Sequence, residues 1–151
     1  MTTRNLNKIF KPQSIAVVGA SEREGSVGYV IFNNLIGSGY NGVVYPINPK
    51  RESIQGVHAY PSVADLPKKV DLAVICTPAP TVPSVLEECG KAGIKGIIII
   101  SAGFAEMGEE GKKVMEQIDE IRKTYDQRVI GPNCLGIIKP SLKINASFGK
   151  I

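Results

Sequence analysis

The stretch "IAVVGASEREGSVGYVI" (residues 15–31) begins as an unbroken apolar run, turns polar at Gly19, and resumes apolar residues at helical spacing from Val27. This is the pattern of a strand, a turn and the start of a helix. Four further runs are short, rich in Val and Ile, and continuous rather than alternating: "GVVYPI" (42–47), "DLAVICT" (71–77), "GIIIIS" (96–101) and "RVIG" (128–131). Continuous runs mean burial on both faces, as in a parallel sheet covered by helices. Between them the spacing predicts helices over Ser26–Ile36, Val82–Ala92 and Glu109–Tyr125. The second aligns Val82, Val85, Leu86 and Cys89 on one stripe, the third Val114, Ile118 and Ile121. Strands alternating with such helices predict a single domain over residues 1–151. Its fold class is α/β, a doubly wound, mainly parallel five-stranded sheet with helices on both faces. At the N-terminus, "NLNKIFKP" (5–12) reads as a short helix stopped by Pro12 that packs Leu6, Ile9 and Phe10 on the body. At the other end, "INASFGKI" (144–151) reads as a strand without a stop signal, as if cut from a longer chain.

Composition narrows the function classes. The chain has 151 residues, 43% of them hydrophobic, and a net charge of +4; a domain this long buries roughly 68–70% of its unfolded surface. The basic residues are scattered among acidic ones, so nucleic acid is not an expected partner. Cys76, Cys89 and Cys134 lack metal-ligand spacing, and no metal site is expected. An odd cysteine count without a signal peptide points to a reducing cytoplasm. No apolar run approaches the ~20 residues of a membrane span, so no membrane partner is expected.

The turn after the first strand is where such folds bind phosphate, because helix N-terminal N–H groups and the helix dipole favour an anion there. Gly19, Gly25 and Gly28 follow a G-x5-G-x2-G spacing, longer than G-x-G-x-x-G, and Ser21, Arg23 and Ser26 offer donors beside Val27. With no ligand, the same turn is a glycine-rich connector. After the second strand, an enzyme using NAD carries an acid for the ribose hydroxyls. Here "YPINPKRE" (45–52) places Asn48, Pro49, Lys50 and Arg51 instead. Positive charge at that point fits the 3′-phosphate of coenzyme A and, less well, the 2′-phosphate of NADP; otherwise it is a solvated turn. In "CTPAPTVPSV" (76–85), Thr77, Pro78, Ala79 and Pro80 form a stiff apolar wall, with Thr81 as the helix N-cap. In "IISAGFAEMGEEG" (99–111), Ile100 leads into a turn of small residues, Ser101, Ala102 and Gly103, leaving room for a ligand on which Phe104 is placed to pack.

Taken in order, "VVGASEREGSVG", "YPINPK", "ICTPAP", "IIISAGF" and "IGPNCLGI" (130–137) resemble the CoA-binding first domain of ADP-forming acyl-CoA synthetases. They are more distantly similar to the succinyl-CoA synthetase α subunit. The resemblance runs from about Ile9 to the C-terminus. It implies a Rossmann-like domain binding coenzyme A or acyl-CoA, within an enzyme that interconverts acid, CoA and ATP with acyl-CoA, ADP and phosphate through a phosphohistidine. By that resemblance, the turn from Ser21 to Gly28 contacts the CoA phosphates and Lys50 neutralises phosphate charge. Ile100, Ser101 and Ala102 line the pantetheine path opposite Thr77 to Pro80, and the loop carrying Asn133 and Cys134 faces the phosphohistidine. The family's phosphohistidine domain and ATP-binding portion are not in this sequence, so they are the expected partners; homo-oligomerisation is left open. The one histidine, His58, reads as a solvated loop residue, and Cys134 lacks a neighbouring base that would make it a nucleophile. Two other readings compete: the NADP-binding domain of an oxidoreductase, and a stand-alone CoA-sensing or scaffolding module.

Overall fold

A computed structural model describes residues 2–149. Five parallel strands form the central sheet: β1 (Ser14–Val18), β2 (Val43–Ile47), β5 (Leu72–Ile75), β6 (Gly96–Ile99) and β7 (Arg128–Ile130), in the order β2-β1-β5-β6-β7. Two short antiparallel hairpins complete the strands, β3 (Ser53–Ile54) with β4 (Val57–His58) and β8 (Gly136–Lys139) with β9 (Ile144–Ser147). The chain runs outward from β1 to β2, then returns to lay β5 on the other side of β1. That reversal opens a crevice at the carboxyl ends of β1 and β5.

The continuous apolar runs divide their side chains between two cores because successive residues of a strand face opposite ways. Ile15 and Val17 of β1, Leu72 and Val74 of β5, and Ile98 of β6 join Ile31, Phe32 and Leu35 of α2 (Val27–Gly37) on one face. Ala16, Val18, Ala73, Ile75, Ile97 and Ile99 meet the other face. There they pack on Val82, Leu86 and Cys89 of α3 (Val82–Lys91) and on Val114 and Ile118 of α4 (Glu109–Thr124). The expected doubly wound, Rossmann-like sheet is therefore present.

Several local expectations are corrected. In α1 (Leu6–Phe10) only Ile9 is fully buried, whereas Phe10 is 37% exposed, since a helix of five residues can aim one turn at the body. Thr81 does not cap α3; it ends a 3-10 turn over Ala79–Thr81 and donates its hydroxyl to Pro78 O at 2.6 Å. Phe104 is buried among the α3 and α4 side chains and does not face the crevice. Within "INASFGKI" the expected strand is β9, Ile144–Ser147, and the last two residues of the stretch lie outside the described ones. Its pairing with β8 lays Ile144 and Ala146 on the α2 core, and Asn34 Nδ2 donates to Ser147 O at 2.8 Å. No helix of the described residues is long and apolar enough to cross a membrane.

Cys89 gives the core a pH signature. Burial, then the neighbouring Glu88 carboxylate, pushes its thiol from 9.0 to about 12. In the unfolded chain that thiol ionises near 9 while the native one stays protonated. Its contribution to stability is therefore complete below pH 9 and is lost as the pH rises toward 12. Urea unfolding across this window should show Cys89→Ala declining less steeply than the parent, by up to about 1.4 kcal/mol per pH unit. Equal slopes would contradict the burial of this thiol.

Candidate functional site

At the carboxyl edge the strand ends enclose a cavity of about 580 Å³, bounded by the turn after β1 and the loops after β5, β6 and β7. The turn is shaped by backbone contacts. Gly19 has φ +91, and a Cβ on it would lie 3.1 Å from the Cys76 carbonyl carbon and 3.2 Å from Thr77 Cγ2, so the end of β1 has no room for a side chain beside the end of β5. Gly28, in the first turn of α2, sits so close to Gly19 that any Cβ would collide with the Gly19 carbonyl oxygen. Gly25 has φ +82 and open space around it. Of the glycines read as admitting a ligand, Gly28 therefore serves first to seat α2 on β1.

Polar side chains of the turn are largely spent on the protein itself. Ser26 is the N-cap of α2: its oxygen accepts from Tyr29 N–H at 3.3 Å while its hydroxyl donates to Arg23 O at 2.7 Å. Ser21 Oγ accepts from Arg23 N–H at 3.0 Å. Asn48 Nδ2 donates to Ala20 O at 2.9 Å, and Asn48 Oδ1 accepts from Lys50 N–H at 2.8 Å, tying the β2 end to the turn. The β3–β4 hairpin supplies a prop that the sequence did not reveal. Gln55, at its tip, donates from its backbone to the Glu22 carboxylate and from Nε2 to Tyr29 O at 3.1 Å. What the turn leaves for a ligand is the first-turn N–H groups of α2 at Val27 and Gly28, which have no intrahelical partners, and the exposed guanidinium of Arg23, the only charged side chain in the cavity wall among the described residues.

The other walls are apolar or small. Thr77 and Pro78 stand after β5, and Ile100, Ser101 and Ala102 after β6. Ser101 Oγ donates to Thr77 O at 2.5 Å, locking these two loops together. Asn133, at φ 55, donates its N–H to Ser101 O at 2.9 Å, and Cys134 Sγ to Ile99 O at 3.3 Å, so the loop after β7 folds over the end of β6. Burial, and secondarily Cys134, pushes the Cys76 thiol up to about 12. Thus Gly19, Ser21, Arg23, Ser26, Val27, Gly28, Thr77, Pro78, Ile100, Ser101, Ala102 and Asn133 line one cavity. Gly25, Asn48, Pro49, Lys50, Ala79, Pro80 and Gly103 lie outside its lining, with Ala79 buried beneath α3 and Lys50 exposed beyond the end of β2. Phe148, after β9, joins the wall, a neighbour that only the packing of the β8–β9 hairpin on α2 could reveal. His58 is exposed on β4 with its ring edge-on to Tyr60 at 4.7 Å, away from the cavity. No group of three or more His, Cys, Asp or Glu among the described residues could hold a metal.

The arrangement sets free N–H groups and one cation at one end of the cavity and small or apolar residues along the rest. Residues 13–140 match the CoA binding domain family. The chain belongs to that family. This CoA binding domain is 48% identical over 149 residues to the acetate–CoA ligase [ADP-forming] I α subunit of Pyrococcus furiosus, covering 96% of this chain and 32% of that protein. It is 50% identical over 146 residues to the acetate–CoA ligase [ADP-forming] of Methanocaldococcus jannaschii, covering 97% of this chain and 20% of that one. Among solved structures, the dinucleotide-forming acetyl-coenzyme A synthetase 1 of Ca. Korarchaeum cryptofilum, in complex with phosphate and ADP, superposes with a TM-score of 0.90 at 41% identity, over 96% of this chain and 31% of that one. The CoA binding domain thus spans a third or less of these relatives.

The two glycines of the turn should separate by experiment. Gly28→Ala is expected to lower the unfolding free energy by roughly 1–3 kcal/mol or more, because helix and strand must move apart. Gly25→Ala should cost only the ~1–2 kcal/mol of a left-handed alanine. Urea titration of both variants checks this, and a Gly28→Ala protein as stable as the parent would contradict the close seating of α2 on β1.

Proposed function

We propose that this chain binds coenzyme A across the carboxyl edge of its sheet and serves as the CoA-binding portion of an ADP-forming acyl-CoA synthetase. The observation that carries the reading is one cavity at the reversal of strand order in a CoA binding domain, phosphate-type at the α2 end and apolar along Thr77, Pro78 and Ile100 to Ala102. In this reading the pyrophosphate rests on the N-terminus of α2 beside Arg23, where dipole and charge act together. The pantetheine arm lies along the locked loops after β5 and β6. Lys50, beyond the cavity lining, reaches the 3′-phosphate at the ribose end. The remaining portions of the synthetase are the partners, and the loop from Asn133 to Gly136 faces them. The lone histidine is remote from the cavity, consistent with chemistry supplied by those other portions. The NADP alternative is disfavoured by the family assignment and by the long glycine spacing.

Titration calorimetry with CoA, dephospho-CoA and NADP tests the reading. CoA should bind most tightly. Dephospho-CoA should bind ~10–150-fold more weakly, the equivalent of one charge-assisted contact of about 1.5–3 kcal/mol. Lys50→Ala should erase most of that difference by weakening CoA alone. Equal affinity for CoA and dephospho-CoA in the parent would remove the role of Lys50, and tighter binding of NADP would overturn the assignment.

A further inference from the structure

The stretch "SIQGVH" (53–58) closes the β3–β4 hairpin with two residues, and both are left-handed, Gln55 at φ 50 and Gly56 at φ 81. Such a turn favours Asn-Gly or Gly-Gly, because Asn and Gly enter the left-handed region readily and a longer side chain does not. Glutamine is an unfavourable choice here for the backbone. Among the described residues other than glycine with a left-handed φ, Asn5, Asp126 and Asn133 are of the tolerant types, and only Gln55 and Lys143 are not. A residue held against its backbone preference points to its side chain as the reason.

That side chain closes a bracket around the turn after β1. Ile54, fully buried in the core on the α2 side, seats the hairpin, and the Gln55 amide then reaches both ends of the turn: Nε2 donates to Tyr29 O at 3.1 Å and to Ser21 O at 3.4 Å. Between those two carbonyls lie Arg23, Ser26, Val27 and Gly28, four residues of the cavity wall. Glu22 lies between them too, but outside the wall, with its carboxylate accepting the Gln55 backbone N–H. Loose, that carboxylate would bring negative charge beside a bound phosphate. One residue of the hairpin thus holds the donors of the turn in place and its acid aside.

We propose that Gln55 is a positioning residue for coenzyme A. By bridging Ser21 O and Tyr29 O it sets the Val27 and Gly28 N–H groups and the Arg23 side chain against the pyrophosphate, and by pinning Glu22 it removes a like charge from that place. This rests on the CoA reading above. Gln55 lies outside the cavity lining and acts through these residues, not on the coenzyme itself. The hairpin gives up turn stability, and the segment after β1 gains a shape already suited to an anion, so less freedom is lost when the coenzyme binds.

Stability and affinity should therefore separate. Gln55→Asn suits the left-handed turn, but its amide, one methylene shorter, ends beyond hydrogen-bond range of Tyr29 O. Urea unfolding of the full chain should place the midpoint of this variant at or above that of the parent, while calorimetry should show CoA bound roughly 3–10-fold more weakly, the equivalent of about one hydrogen bond. Dephospho-CoA should weaken by the same factor, because Gln55 arranges the pyrophosphate end and not the 3′-phosphate. Without ligand, the Val27 and Gly28 amide resonances should already be displaced from those of the parent. Gln55→Gly, which also suits the turn and carries no amide, should behave alike, so the outcome does not hang on how one variant packs. Unchanged CoA affinity in both variants overturns the proposal, and so does a loss of affinity accompanied in both by a lower urea midpoint, since a weakened fold then accounts for it. A parent chain that binds no CoA overturns the CoA reading, and this proposal with it.

Discussion

The first turn of α2 rests directly on the end of β1, with the Gly19 carbonyl filling the space a side chain at Gly28 would take. The binding edge depends on this contact. It fixes where the free N–H groups of the helix point, while the missing side chain of Gly19 lets the end of β1 lie against the Cys76 backbone. A helix seated a few ångströms further out would still cover the sheet, through Ile31, Phe32 and Leu35, but would aim its N-terminus past the cavity. Fold stability and the anion recognition proposed for the α2 turn thus rest on the same pair of residues, so a substitution at Gly28 touches both.

Around this contact the polar groups divide into those that hold the site and those left to use it. Ser21, Ser26 and Asn48 are hydrogen-bonded to the turn they belong to, and Gln55 reaches in from a hairpin to hold the same segment. Each group committed in this way is preorganisation, since a backbone already in place loses less entropy on binding. The loops after β5, β6 and β7 follow the same logic. Ser101 links the β5 and β6 loops, and Asn133 links the β7 loop to Ser101, so hydrogen bonds tie three strand ends together.

The sheet was legible because its runs are uninterrupted: a buried parallel strand cannot hide its composition, and "SIAVVG", "DLAVICT" and "GIIIIS" admit no other architecture once helices with one apolar stripe lie between them. The hairpins were not legible. Two-residue strands such as Ser53–Ile54 carry no periodicity, and β8 has no pattern of its own until β9 pairs with it. For the site, spacing and strand ends located the turn and the three loops, but not the orientation of each residue within them. Phe104 and Ala79 sit in correctly placed loops yet turn into the α3 side of the core, because there the apolar demand of the helices outcompetes the cavity. Likewise a serine ahead of a helix could be a ligand donor or an N-cap, and only the geometry of Ser26 decides for the cap.

The central claim is that one molecule of coenzyme A lies from the α2 turn to the β7 loop, and amide chemical shifts of the isotope-labelled chain on addition of CoA test it most directly. The account predicts perturbations concentrated at residues 19–28, 76–78, 100–102 and 133–134, with the far side of the domain around Lys68, Lys91 and Arg122 unmoved. Shifts clustered elsewhere, or confined to the α2 turn with the Ile100–Ala102 and Asn133–Cys134 amides silent, would contradict it.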